Sequence, residues 1–343
     1  MYSHRLKLPP PRRRPGHRVR TRRAHGRRPT NPAMPRWGLC LAALASAGGA
    51  AAAPMRVVVT GAGGNTGGHV FRKMLARPEQ FDPIGIARTA SSKEALMSSS
   101  GCRDEQVAVL DVASVPGLYM DAAIAAFAGA AALIICTSAK VKPTGGTDEA
   151  TGRPKMGFPD GQPYNVDWLG QRRQIDGAKA SGLRHVVICS SMGGTDPANM
   201  LNTFGKVAGG RGGGNILLWK RKAEKYLIES GMKYTIVHPG GLLNEPGGMR
   251  QLVVGVDDQL MASVNRAVPR EDVAEVLVQS LLNKSFENRS FDLVSAPSAG
   301  SAVETNFAAL LGELGDASCD YGLGEIPDEA ADIKEADLLM YPE

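Results

Sequence analysis

The sequence has few cysteines, few aromatic residues and no long apolar run. Its five cysteines are scattered along 343 residues without a Cys-x-x-Cys spacing or a neighbouring histidine pair, so we expect neither a metal site nor a disulfide framework. Cys136 and Cys189 end apolar runs, which predicts that both thiols are buried. The apolar stretch 37–53 is short and rich in alanine, so no membrane span is expected in the mature protein.

Acidic residues are absent from the first 36 positions, which hold twelve of the 40 lysines and arginines. The rest of the chain therefore has 28 basic and 34 acidic residues and is acidic overall. The net positive charge of the whole sequence therefore comes from its N-terminal residues alone. We therefore predict no nucleic-acid partner for the folded part.

Residues 1–54 resemble a targeting leader without a fold of its own. Arginine-rich segments with interspersed proline are followed by the apolar stretch 37–53, which ends in small residues typical of a processing site. Three interpretations are open: a plastid transit peptide, a signal peptide that begins at Met34 in an organism with secondary plastids, and a wrongly extended gene model. We favour the plastid, whereas a gene-model error would make the protein cytoplasmic. A basic nucleic-acid-binding arm is an alternative function for the same residues.

A glycine-rich turn connects an apolar, β-branched strand to a helical pattern and is the most informative motif. Its glycines, Gly61, Gly64 and Gly67, are spaced Gly-x-x-Gly-x-x-Gly, so backbone amides can approach a pyrophosphate closely. The helix that follows points its positive end at that charge. Asn65 and Thr66 lie inside the motif and share the predicted contact. We therefore predict a dinucleotide site, with a plain tight turn as the alternative.

Positions after the next two strands bear on which dinucleotide binds. NAD-preferring folds place an acid about 20 residues after the glycines, whereas this sequence has Arg88 there, which suits the 2′-phosphate of NADP(H). We predict NADPH over NADH, with a solvated basic loop as the alternative. Asp111 and Val112 follow the third strand, where an adenine ring would lie. Asp111 is equally suited to cap a helix over 114–127.

Strand and helix patterns alternate through residues 55–315. This alternation predicts an α/β fold in a single domain, a Rossmann-type, doubly wound parallel sheet. One central strand ends at Thr137, and the next ends at Ser190 and Ser191. Because parallel strands end at the same edge of a sheet, these hydroxyl groups are expected beside the predicted cofactor.

Four further segments bear on how the chain is organised. Segments 139–163 and 202–215 are rich in glycine and lack periodicity, which predicts flexible lids over the site. Small elements on the substrate side are expected at the C-terminus, including a helix over 303–314. An acidic tail, 316–343, completes the chain.

Several motifs together resemble the atypical, NmrA-like branch of the short-chain dehydrogenase/reductase superfamily. The motifs are Thr60-Gly61-x-x-Gly64-x-x-Gly67, Arg88, Asp111, Ser190-Ser191-Met192-Gly193-Gly194, Lys220-x-x-Ala223-Glu224 and Tyr234-Thr235-Ile236-Val237-His238-Pro239-Gly240-Gly241. The resemblance covers about residues 55–315. It is strongest to plant and algal plastid proteins of largely unassigned activity, which share the stretches 166–171 and 219–224. It implies a Rossmann domain that binds NAD(P).

The sequence departs from the usual catalytic unit of that superfamily, which is Tyr-x-x-x-Lys with a serine. Alignment on Lys220 puts Ile216 at the tyrosine position, and Tyr226 lies ten residues further along the same predicted helix. The resemblance implies that Lys220 binds the nicotinamide ribose, with a merely solvated lysine as the alternative. It also implies that Ser190 or Ser191 orients a substrate carbonyl.

Two functions of different classes follow from this departure. The first is an NADPH-dependent reductase of an unknown small molecule, in which the substrate or water supplies the proton. The second is a non-catalytic NADP(H)-binding protein that senses redox state or regulates a partner. His238 replaces an arginine common in relatives, and it contacts the cofactor or is a plain turn histidine. Nuclease, RNA-binding and epimerase roles are weaker alternatives, and a monomer or weak oligomer is expected.

Overall fold

The computed structural model describes residues 53–112, 116–147, 152–206, 214–297 and 302–328. Almost all of the predicted leader lies outside the described residues, as do the centre of the second predicted lid, 207–213, and the end of the acidic tail from residue 329. Within the described part of the chain, no helix is both long enough and apolar enough to cross a bilayer.

Strands and helices alternate along the described residues. The strands are β1 (Met55–Thr60), β2 (Phe81–Ala87), β3 (Val107–Val109), β4 (Ala132–Ile135), β5 (Lys142–Thr147), β6 (Pro154–Gly157), β7 (His185–Cys189), β8 (Lys233–Pro239), β9 (Gly241–Leu243), β10 (Arg250–Gly255), β11 (Ala267–Pro269) and β12 (Arg289–Pro297). The helices are α1 (Asn65–Leu75), α2 (Ala90–Ser100), α3 (Pro116–Phe127), α4 (Gln171–Ala180), α5 (Ile216–Glu229) and α6 (Arg270–Gln279). A π-helical segment, Tyr164–Gly170, leads directly into α4.

Eight strands form one sheet in the order β3-β2-β1-β4-β7-β8-β12-β10. All neighbouring pairs in this sheet are parallel except β10, which runs antiparallel to β12 at the edge. The chain winds outward from β1 in both directions, so the direction of winding reverses between β1 and β4. The predicted doubly wound, Rossmann-type α/β fold is confirmed, and a crevice is expected at the carboxyl ends of β1 and β4.

The sheet is covered on both faces, which explains why its central strands are apolar throughout. Val57 and Val59 of β1 pack into one buried cluster, to which α1 and α6 contribute, whereas Val58 packs into the other, to which α3 and α4 contribute. All three valines are fully buried. The alternating sides of a strand therefore direct neighbouring residues into two separate cores.

Two local predictions differ from the structure. The segment 139–163, predicted to be an irregular lid, contains an antiparallel hairpin of β5 and β6. Its strands are largely exposed, so no alternation of polar and apolar residues marks them. The predicted helix over 303–314 is wrong, because only two short 3₁₀ turns form there, before Gly315 with its φ of 51°. The antiparallel strand β10 was not predicted.

The C-terminal segment 316–328 packs against β12 and α5. The backbone N–H of Cys319 donates to the carbonyl of Ser290 in β12 at 2.9 Å. The Arg221 side chain of α5 donates through Nε to the carbonyl of Leu323, also at 2.9 Å. These contacts bring residues from the end of the chain next to β8 and β12.

Candidate functional site

A cleft of about 320 Å³ lies at the carboxyl edge of the sheet. Its walls come from the start of α1, the segments after β4, β7 and β8, and the first turn of α5. These are the positions at which a doubly wound sheet presents loops to a ligand. Of the residues predicted from sequence, the cleft brings together Gly64, Asn65, Thr66, Gly67, Ser190, Ser191 and Lys220.

The glycines of the first turn are required by close contacts between backbones. Gly61 has a φ of 68°, and a β-carbon on it would lie 2.6 Å from the carbonyl oxygen of Cys136. A β-carbon on Gly67 would overlap the carbonyl oxygen of Gly61. The N–H of Gly64 donates to that same oxygen at 2.8 Å. Side chains at these positions would therefore open the turn and move the start of α1.

The N-terminus of α1 faces the cleft without a capping side chain. Gly64 is the N-cap residue, no side chain accepts a hydrogen bond there, and the first turn contains no acid. Asn65, Thr66 and Gly67 line the cleft at this end. An uncapped helix N-terminus offers N–H donors and positive potential, so the site suits a phosphate or pyrophosphate.

Lys220 of α5 forms a buried ion pair with Asp167 of the π-helical segment. Its Nζ lies 2.7 Å from Oδ1 of Asp167, and the two side chains are 7% and 0% exposed. The other carboxylate oxygen, Oδ2, accepts the backbone N–H of Ala139 at 3.0 Å. Asp167 therefore holds the ammonium at the wall of the cleft and ties it to the segment after β4.

The two serines after β7 differ in their partners. Ser190 is buried and donates its hydroxyl to Oε1 of Glu224 in α5. Ser191 is half-buried and donates to the carbonyl of Met192 at 3.0 Å. A serine hydroxyl rotates easily, so Ser191 can redirect its proton to a ligand. The Ser190 proton, by contrast, is already donated to Glu224.

His238 does not line the cleft, and its ring lies behind Ser190 in a buried polar cluster. Its Nε2 is 3.1 Å from Oε2 of Glu224 and its Nδ1 is 3.4 Å from Oδ1 of Asp292. Burial lowers the pKa of His238, but the two carboxylates outweigh burial and hold that pKa well above its usual value. Burial raises the pKa of Glu224, yet His238, Ser190 and Tyr321 together leave it lowered.

No tyrosine is among the described residues that line the cleft. Ile216 lines it one helical turn before Lys220. Tyr226 points elsewhere, because its hydroxyl donates to Asp176 at 2.6 Å. That hydrogen bond, with burial and the charge of Asp176, raises the pKa of Tyr226 to about 12.

Three further residues that the sequence predicts beside the cofactor, Thr137, Asp111 and Val112, have other positions. Thr137 accepts a hydrogen bond from Gln174 at 3.0 Å, and the carbonyl of Val112 accepts one from Arg173 at 3.1 Å. Asp111 is half-buried directly after Leu110, which bonds to the end of β2. None of these three predicted residues lines the cleft.

Arg88 is exposed directly after β2. Its Nη1 makes one long hydrogen bond, 3.4 Å, to the carbonyl of Asp160 in the segment after β6. Thr89 caps α2 and accepts the backbone N–H of Ser92 at 3.2 Å. Arg88 is therefore a largely solvent-exposed side chain at the carboxyl end of β2, and it does not line the cleft.

Cys136 and Cys189 are only half-buried, contrary to the prediction, and both line the cleft. They follow Ile135 and Ile188, which are register partners in β4 and β7, so the two thiols lie side by side. Their mutual hydrogen bond, with burial, raises the pKa of Cys136. The same bond and the charge of Lys220 lower the pKa of Cys189 against the effect of burial.

Sequence reasoning missed the roles of Asp167 and Glu224. Glu224 had a detectable signal, because it lies four residues after Lys220 in α5. That spacing puts both charged side chains on one helix face, together with the buried Leu217, Ala223 and Leu227. Charges on an apolar face indicate buried partners. Asp167 had no comparable signal, since its partners are 53 and 28 residues away in sequence.

Comparisons with known proteins agree with this geometry. A family model described as NAD(P)H-binding matches residues 61–284. A chloroplastic protein of Arabidopsis thaliana is 41% identical over 76% of this chain and 76% of its own length. Sanguinarine reductase of Eschscholzia californica is 39% identical over 76% of this chain and 96% of its own length.

A solved structure supports the fold alone. A putative NAD-dependent epimerase/dehydratase from Bacillus halodurans superposes with a TM-score of 0.53 at 21% identity, over 76% of this chain and 99% of that one. The matching family model and the two relatives go further, since together they span the glycine turn and the cleft. The chain therefore belongs to the NAD(P)H-binding family, in agreement with its resemblance to the atypical, NmrA-like short-chain dehydrogenases/reductases.

Proposed function

We propose that the protein is an NADPH-dependent reductase of a small acceptor molecule bound in the cleft. The observation that carries this proposal is the joining, in one cleft, of an uncapped helix N-terminus with the buried cation of Lys220. A phosphate site alone would suit any nucleotide-binding protein. A fixed ammonium in the same cleft suits a reaction in which negative charge develops on a substrate oxygen.

The first turn fits a dinucleotide. Gly61 and Gly67 leave no room for β-carbons, whereas a β-carbon on Gly63 would meet no atom within 4 Å. The turn is thus tight at Gly61 and Gly67 and open at Gly63. Asn65 and Thr66 would hold the pyrophosphate with their backbone amides, and Arg88 would contact the 2′-phosphate. When bound, NADPH supplies the hydride.

The chain's own contribution to proton chemistry is confined to a few groups. Ser190 already donates to Glu224, so of the residues predicted to be catalytic, the Lys220 ammonium and the Ser191 hydroxyl are the donors left for a substrate oxygen. Lys220 has three N–H groups and directs one to Asp167. Its other N–H groups can reach the ribose and the acceptor oxygen. Water then restores the proton, in place of the tyrosine of other family members.

The test uses the purified full-length chain. NADPH and NADH are titrated by fluorescence, and NADPH oxidation is then followed with sanguinarine, quinones and enones as acceptors. Turnover should fall at least tenfold when Lys220→Met is combined with Asp167→Asn, a pair that leaves no buried charge alone. Lys225→Met on the exposed side of α5 is the matched control and should retain turnover. Absence of NADPH binding would contradict the proposal.

A second candidate is a non-catalytic NADP(H)-binding protein that senses redox state. The observation in its favour is Ile216 at the cleft wall, together with the lack of a tyrosine among the described lining residues. Tight NADPH binding without turnover of any acceptor would favour this function. A difference in protease sensitivity between the oxidised and reduced cofactor complexes would support it further.

We also propose that the protein acts in the plastid. The support is the arginine-rich, acid-free leader and the chloroplastic description of the Arabidopsis thaliana relative. Residues 1–54 fused to a fluorescent protein should direct it to plastids. A diffuse cytoplasmic signal would instead favour an extended gene model.

A further inference from the structure

A second group of polar side chains lies behind Ser190, outside the cleft. It consists of His238 in β8, Asp292 in β12 and Cys319 in the C-terminal segment, called here the buried triad. Their exposed fractions are 5%, 1% and 8%. The proposed reduction uses none of the three, and sequence spacing does not reveal them because Cys319 is 27 and 81 residues from its partners.

The distances within the buried triad match those of a single coordination sphere. Nδ1 of His238 is 3.4 Å from Oδ1 of Asp292. Sγ of Cys319 is 3.6 Å from that nitrogen and 4.0 Å from that oxygen. A tetrahedral zinc ion with bonds of about 2.0–2.3 Å separates such ligands by roughly 3.3–3.6 Å. One ion can therefore contact all three atoms after shifts of a few tenths of an ångström.

The outer contacts orient the ligand atoms inward. Nε2 of His238 lies 3.1 Å from Oε2 of Glu224, so this nitrogen carries the proton and Nδ1 faces the other two ligands. Oδ2 of Asp292 accepts the backbone N–H of Asp258 at 2.8 Å, which leaves Oδ1 for the ion. A carboxylate behind a ligating histidine is the usual second partner in metal sites.

Space is also compatible with an ion. A small cavity of about 10 Å³ adjoins the buried triad and is lined by Ser191, Arg221 and Asp257 among others. It has room for about one water molecule, which would complete a tetrahedral site.

We propose that His238, Asp292 and Cys319 form a binding site for a divalent transition-metal ion, with zinc as the best match. One nitrogen, one oxygen and one sulfur ligand suit zinc better than magnesium or calcium, which prefer oxygen alone. The ion would fasten the C-terminal segment to β8 and β12. It would also lie one side chain away from Glu224, the partner of Ser190.

The test measures cobalt binding by the full-length chain, because a thiolate bound to cobalt has a charge-transfer band in the near ultraviolet. After treatment with a chelator, the chain should take up one Co²⁺ and develop that band. Zinc should remove the band and raise the melting temperature. Cys319→Ser should lose the band and bind Co²⁺ at least tenfold more weakly.

Two further variants test the assignment: one excludes the thiols of the cleft, and the other tests the carboxylate ligand. Cys136→Ser combined with Cys189→Ser removes the paired thiols of the cleft and should retain the band. Asp292→Asn keeps the thiol and should weaken cobalt binding. Failure of the wild-type chain to bind cobalt would overturn the proposal and favour an imidazolium held between two carboxylates. A band that persists in Cys319→Ser would overturn it as well.

Discussion

Nζ of Lys220 lies 2.7 Å from Oδ1 of Asp167, and neither side chain is appreciably exposed. The pair joins α5 to the π-helical segment and, through the N–H of Ala139, to the segment after β4. A lysine that is buried in this way has one orientation. The cleft therefore has a positive charge at a defined place, which a solvated lysine could not provide.

Loss of Lys220 should reduce the stability of the fold. Lys220→Met leaves the carboxylate of Asp167 buried without a cation, and we expect the free energy of unfolding to fall by about 3–5 kcal/mol. Adding Asp167→Asn should recover much of that loss. Lys225→Met removes an exposed, 3.9 Å pair with Glu229 and should change stability by less than about 0.5 kcal/mol. Urea unfolding of the four proteins checks this, and a double variant no more stable than Lys220→Met alone would contradict it.

A methyl group at Gly67 should damage the cofactor site. The β-carbon of Gly67→Ala would overlap the carbonyl oxygen of Gly61, so the turn must open at a cost of about 1–3 kcal/mol. We expect the dissociation constant for NADPH to rise about tenfold or more. Gly312→Ala, where a β-carbon meets no atom within 4 Å, should bind NADPH normally. Equal binding by both variants would show that the turn does not hold the cofactor.

Removal of the Arg88 guanidinium should lower the preference for NADPH. A charge-assisted hydrogen bond to the 2′-phosphate contributes about 1.5–3 kcal/mol, so Arg88→Ala should weaken NADPH binding roughly 10- to 100-fold. NADH binding should change little. Arg103→Ala removes another exposed arginine, paired with Glu105, and serves as control. If Arg88→Ala weakens both cofactors equally, Arg88 is not the phosphate contact.

Stability should decline below neutral pH because of His185. Burial, with the charge of nearby Lys233, lowers the pKa of His185 to about 4 from 6.5. The ring is neutral in the native state and lies 3.0 Å from the hydroxyl of Thr235. The unfolded chain takes up a proton near pH 6.5, so the contribution of His185 to stability is complete above that pH and is lost as the pH falls toward 4.

The contribution of His185 can be isolated by substitution. Between pH 7 and pH 5 it amounts to about 2 kcal/mol, and His185→Gln should remove that part of the pH dependence. Denaturant unfolding of both proteins at the two pH values measures the difference. Parallel pH profiles for wild type and variant would show that His185 is protonated as easily in the native state as in the unfolded chain.

Local sequence patterns predicted much of the fold and the glycine turn of the site. The glycine turn is recognisable because Gly61 and Gly67 meet backbone atoms that only glycine tolerates, a requirement expressed at fixed spacing. Strands such as β4 are recognisable because burial on both faces demands an unbroken apolar run. The position of Ser190 followed from the rule that parallel strands end at one edge.

Contacts between residues far apart in the sequence could not be predicted from local patterns. The β5–β6 hairpin has exposed strands and no periodicity, and its pairing is set by backbone hydrogen bonds rather than by side-chain pattern. Segment 303–314 has apolar residues, of which Leu311 is buried and Phe307, Leu310 and Leu314 pack partly buried against the core. They make these contacts from two short 3₁₀ turns, so an apolar pattern alone did not identify the backbone conformation.

The Rossmann architecture and the glycine turn are predictable from the sequence, because unbroken apolar strands and a fixed glycine spacing are local patterns. The ion pair of Asp167 with Lys220 and the neighbouring thiols of Cys136 and Cys189 arise only when the chain is folded. The same holds for the contact of Cys319 with His238. Such partners are selected by how strands and segments pack, and they lie too far apart in the sequence for a local pattern to reveal them.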